Sequence, residues 1–118
     1  MPLDLDDEQF DALVERALDG IPDELARHVR NVVVLVEDEP PEGEPDDLLG
    51  LYDGVALTER NDMWAGALPD RIFVFRGPLL DFCDTLEQLE REVRITVVHE
   101  VAHHFGIDEE RLHALGYG

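Results

Sequence analysis

One helical turn near the end of the chain, His99-Glu100-Val101-Ala102-His103, constrains this sequence more than any other stretch. It closes a strong helical pattern over residues 85–105. Residues four apart on a helix lie one turn above each other on the same face. His99 and His103 can therefore offer two imidazoles to a single metal ion, with Glu100 beside them in reach of a water held there. The competing reading is a pair of core histidines hydrogen-bonded to backbone. Glu100 between them and Gly106 just after them favour the metal. The rest of the chain then reads as a small scaffold for this turn.

Zinc in a catalytic site usually takes three protein ligands and one water. His99 and His103 supply two. Gly106 allows a sharp turn after the helix, so a residue shortly beyond it can fold back. Counted from His99 the pattern is H-E-x-x-H-x-x-G-x-x-E, which ends at Glu109. Glu109 is the leading third ligand and Asp108 the next. Each also has a plain structural role open to it, Asp108 as a helix cap and Glu109 as an acidic residue in a first turn. His104 points about 100° away from His103 on the helix and is a poor ligand. His113 serves only if the last helix folds back closely. Such a centre activates water at neutral pH, with Glu100 as general base. Tyr117, His113, Tyr52 and Arg71 are all candidates for the second electrophile at the oxyanion.

The 118 residues suit one domain with a small core. With 29 acidic and 9 basic residues, the formal net charge is −20. Such a surface repels phosphate backbones and anionic membranes, so neither nucleic acid nor membrane is expected as a partner. A basic peptide or protein would be steered inward. The single cysteine, Cys83, has Phe82 and Asp84 as neighbours, which suits a buried inert thiol better than a nucleophile. The first ten residues are acidic and lack a signal-peptide pattern, and no apolar run approaches membrane-spanning length, so a cytoplasmic location is expected.

Along the chain, residues 6–19 predict an amphipathic helix with Phe10, Leu13, Val14, Ala17 and Leu18 on one face. Asp6 and Gln9 make a capping box, Leu5 and Phe10 a hydrophobic staple, and Gly20 the stop. A short second helix follows Pro22 and runs to about Val29. Val32 to Val36 is wholly apolar and reads as a strand interior to a sheet. Residues 37–47 hold seven carboxylates with Pro and Gly, and predict a solvated loop whose spacing does not match a calcium site. A weaker strand is expected over residues 49–57, where Gly50 and Gly54 signal a bulge or a close backbone approach. Residues 58–70 read as a loop with Trp64 capping the core, residues 71–76 as a third strand, and Gly77-Pro78 as its close. Asp84 and Glu87 predict the capping box of the long helix, whose second half is apolar nearly all round and so buried. Asp108 can cap a last helix over residues 109–115.

Taken together, HEVAHHFGIDEERLHALGYG, RGPLL and the V-R-I-T-V-V run resemble the small zincin-like metallopeptidases, also called minimal metalloproteases. The likeness spans most of the chain from about Leu49 and is surest from Arg71 to Tyr117. It implies a compact α+β fold, with a small twisted mixed sheet of three or four strands packed on N-terminal helices and a long active-site helix. It implies zinc on His99 and His103, a catalytic Glu100 and peptide-bond hydrolysis. The extended motif resembles the metzincin form, with Glu109 standing where that form has His or Asp. Met1 and Met63 both precede the motif, so nothing supplies the methionine turn of true metzincins. Two other functions compete. One is a zinc-binding interaction module without turnover. The other is a zinc endoribonuclease of H-x3-H-x5-H type, which Glu100, Glu109 and the negative charge all disfavour.

Overall fold

In the computed structural model, residues 4–29, 32–54 and 70–117 are described. Helix α1 spans Asp7–Asp19, and the Asp6–Gln9 capping box forms in both directions. Asp6 Oδ1 accepts from Gln9 N–H at 2.8 Å, and Gln9 Oε1 accepts from Asp6 N–H at 3.0 Å. Leu5 and Phe10, the two residues of the staple, are both buried. Gly20 ends the helix without entering the left-handed region. Helix α2 follows over Asp23–Val29.

Among the described residues, three strands make one mixed sheet in the order β1-β3-β2. They are β1 (Val32–Glu37), β2 (Gly50–Asp53) and β3 (Asp70–Phe75). β1 runs parallel to β3, with Val34 beside Ile72, and β2 runs antiparallel to β3, with Tyr52 beside Ile72. The expected continuation of β2 to Leu57, and the loop carrying Arg60, Asn61, Asp62, Met63 and Trp64, lie outside the described residues.

The placement of β1 is a correction. Its apolar run predicts an interior strand, yet β1 is at the edge and none of its residues is buried. The centre belongs to β3, whose Ile72, Val74 and Phe75 are fully buried. Val32, Val34 and Val36 pack partly against the core, while Val33 and Leu35 are exposed on the other face. Apolar composition alone does not distinguish a strand flanked by strands from one with a single neighbour.

Helix α3 covers Arg76–Phe82. Gly77 and Pro78 therefore open a helix as well as closing a strand, since proline is tolerated in a first helical turn where N–H groups have no partner. Gly77 N–H donates to Asp38 carbonyl at 2.8 Å, and this ties the acidic loop to the end of the sheet. Helix α4 spans Leu86–Phe105 and helix α5 spans Glu109–Ala114. The cap of α4 is Thr85, one residue later than the Asp84–Glu87 pair predicts. Its hydroxyl accepts from Gln88 N–H at 3.0 Å, while Gln88 Oε1 reaches back to Asp84 N–H at 3.0 Å.

The architecture is α+β. One core joins Phe10, Leu13 and Ala17 of α1, Ile72 and Val74 of β3, and Leu89, Val93 and Val97 of α4. Arg76 fastens the start of α1 to the sheet, contacting Leu5 carbonyl and lying 3.5 Å from Asp7. Among the described residues, no helix is long and apolar enough to cross a membrane.

Candidate active site

The site is built where α4 passes the edge strand β2. The interior glycine predicted to allow close approach does so: a Cβ on Gly50 would collide with Thr96 Cγ2 and lie 3.1 Å from Phe73 carbonyl oxygen. Without it the helix settles against the strand, and Glu100, one turn beyond Thr96, reaches the strand backbone. Tyr52 N–H donates to Glu100 Oε1 at 3.0 Å in a half-buried setting. One carboxylate oxygen is thereby engaged by the fold.

Tyr52 also fixes the helix from its side chain. Its ring stacks on His104 with centroids 4.0 Å apart and planes 12° from parallel. Its hydroxyl donates to Asp70 Oδ2 at 2.6 Å, and His104 Nε2 lies 3.7 Å from that oxygen. Phe105 closes the cluster edge-on to His104. His104 thus faces the sheet edge, in keeping with its divergence from His103. The Tyr52–Asp70–His104 cluster is what sequence reasoning missed, and the only hints were the flanking Gly50 and Gly54. A Cβ on Gly54 would sit 3.2 Å from His104 Cε1.

His99 and His103 stand on successive turns with ring centroids 6.5 Å apart and planes 27° from parallel. His99 is half-buried and His103 exposed. The apolar pattern predicts protein around this turn, and the burial of Thr96, Val97, Val98, Val101 and Ala102 supplies it on one side only. The last turn opens to solvent. His99 Nε2 donates to Tyr117 carbonyl at 2.7 Å, so the chain beyond α5 returns over the first histidine.

Gly106 has φ +70° and caps α4 in the left-handed conformation, as its position predicts. Asp108 then caps α5, accepting from Arg111 N–H at 2.8 Å. Arg111 Nε donates to Glu24 at 2.7 Å and anchors α5 to α2. Glu109 is exposed in the first turn of α5. Among the described residues, no three His, Cys, Asp or Glu side chains are grouped to hold a metal ion. Of the candidates for a second electrophile, Tyr52 touches Glu100 through its backbone and Tyr117 touches His99. His113 is exposed on α5, and Arg71 pairs with Asp53 and lies over the Phe73 ring.

A scan against protein families matches residues 29–118 to the zincin-like metallopeptidases. The chain belongs to that family. The matched region takes in the whole sheet, α3, α4 and α5, and leaves α1 and most of α2 as the N-terminal support of this zincin-like unit. A solved structure with a similar fold is a conserved hypothetical protein from Thermo thermophilus. It is 29% identical, with a TM-score of 0.57, over 84% of this chain and 92% of that one. No curated protein matches the chain.

Proposed function

We propose that the chain is a zinc-dependent peptidase in which His99 and His103 hold the metal and Glu100 is the general base. The observation that carries this reading is the contact between Glu100 and β2: the acid of an H-E-x-x-H turn is positioned by an edge-strand amide, in a chain whose family is zincin-like metallopeptidases. The donor chemistry fits. Two imidazoles on one helix face suit zinc, and the divergence of His104 leaves that face to His99 and His103. Glu109 is the third ligand in this proposal and would have to move in from its exposed place in α5, because Asp108 already serves as the cap of that helix.

Zinc, when bound, supplies a Lewis acid and a water ionised near neutral pH. The chain's own residues do the rest. Glu100 keeps Oε1 on Tyr52 N–H, which leaves Oε2 to take the proton of the attacking water and hand it to the leaving amine. His99 Nε2 donates to Tyr117 carbonyl, so His99 would have to release the returning chain end to offer this nitrogen to zinc. The partner is a peptide or protein, and the charge of −20 favours a basic one.

A broad peptide library incubated with the zinc-loaded chain, with and without a chelator, tests the reading. Cleavage that the chelator abolishes supports it. One equivalent of zinc bound with no peptide cut would make the chain a binding module instead.

A further inference from the structure

The sheet edge remote from Glu100 carries a second surface. β1 and β2 are opposite edges, and only β2 meets the Glu100 carboxylate. β1 reads Val32-Val33-Val34-Leu35-Val36-Glu37, with one charge, no proline and no lysine. Val33 and Leu35 are 39% and 37% exposed, and no residue of the strand is buried. One side of β1 pairs with β3, and among the described residues the other side meets no strand. An open row of N–H and C=O groups is a template for another chain, and edges that must stay single are blunted by charge, proline or a bulge. Among the described residues, β1 has no such protection before Glu37.

A groove of about 610 Å³ lies along this edge, between β1 and α1. Val14, Leu18, Val29 and Val34 give it an apolar lining, and Asp11 and Glu15 add two carboxylates. Among the described residues no cation lines it.

We propose that β1 and this groove form a docking edge for an extended segment of a partner protein, alternating basic and apolar residues, which joins the sheet as an added strand. Main-chain hydrogen bonds to β1 supply affinity, and every second side chain enters the groove. The apolar side chains enter the groove, and the basic ones fall on the opposite face beside Glu37, drawn by the net charge of −20. Charge selects this occupant over a second copy of the chain. A second copy would set the same carboxylates, and a further net charge of −20, against this edge.

The test uses the full chain carrying Glu100→Gln, so that the probe is not consumed and its binding is read independently of any peptidase activity. The probe is a fluorescein-labelled heptapeptide alternating lysine and valine, followed by polarisation and by hydrogen exchange. Saturable binding with new protection of the amides of residues 32–37 is expected. Replacing the central valine by proline weakens binding about tenfold, since strand hydrogen bonds are lost. Glu37→Lys weakens it about threefold. The proposal is overturned by an absence of binding, by equal binding of the proline peptide, or by protection elsewhere than β1. A chain that dimerises with residues 32–37 protected before peptide is added overturns the choice of occupant.

Discussion

At Gly50 the long helix and the edge strand meet because no Cβ stands between them. Gly50→Ala forces Thr96 and Phe73 apart and costs about 1–3 kcal/mol, as overpacking of a tight contact does. Urea unfolding measures that loss. The same variant draws Glu100 from Tyr52 N–H, so turnover at saturating substrate should fall while zinc stays bound. Asp108 and Glu109 divide differently. Asp108→Ala removes a cap and costs about 1 kcal/mol of stability with zinc affinity nearly unchanged. Glu109→Ala keeps stability and weakens zinc by more than about a hundredfold, read by competition with a chromophoric chelator. Cys83 makes the pH prediction. Burial, then Glu92 and Asp84, raises its thiol from 9.0 to about 11. Below pH 9 the thiol is neutral in both folded and unfolded chains, and its contribution to stability is fully present. As pH rises toward 11 the unfolded chain ionises first, so that contribution is lost. A Cys83→Ala chain should show a shallower fall in unfolding free energy over this window, and the native thiol should resist a disulfide reagent until denaturant is added.

Among the elements, those written in local chemistry were legible in the sequence. Helix α1 follows from Asp6, Gln9, Leu5 and Phe10, because capping and stapling involve neighbours in the chain. The left-handed turn at Gly106 and the cap at Asp108 are local in the same way. The cap of α4 slipped by one residue because Asp84 and Thr85 are both competent, and only the geometry of Gln88 selects Thr85. What depends on partners distant in sequence was not legible. The apolar run of β1 signals hydrophobic surroundings but not how many strands flank it. The grip of Tyr52 on Glu100 and of Asp70 on Tyr52 spans 48 and 18 residues, beyond any pattern of spacing. At the site itself the H-E-x-x-H turn announces its two imidazoles and its acid, since one helical turn suffices to align them. Which side chain would complete the proposed metal site is not legible, because it depends on how the chain returns after Gly106.

For the whole molecule, the charge of −20 sets how partners arrive. Association with a lysine-rich peptide substrate should slow as ionic strength rises, by about tenfold or more between 10 mM and 500 mM salt, while the rate of bond cleavage at saturation changes little. Stopped-flow fluorescence separates the two. An acidic substrate should show the reverse salt dependence. Among the described residues the sheet has two different edges: β2 beside Glu100, the proposed base, and β1, the proposed docking edge. At the β2 edge the decisive comparison is turnover of the best library peptide by zinc-loaded wild type and by Glu100→Gln, each with its zinc content measured. With Glu100 as the base, the variant keeps one zinc per chain and loses about 10²–10⁴ in kcat, the range supplied by a positioned base. A Glu100→Gln chain that binds zinc and cleaves as fast as wild type would remove Glu100 from that role.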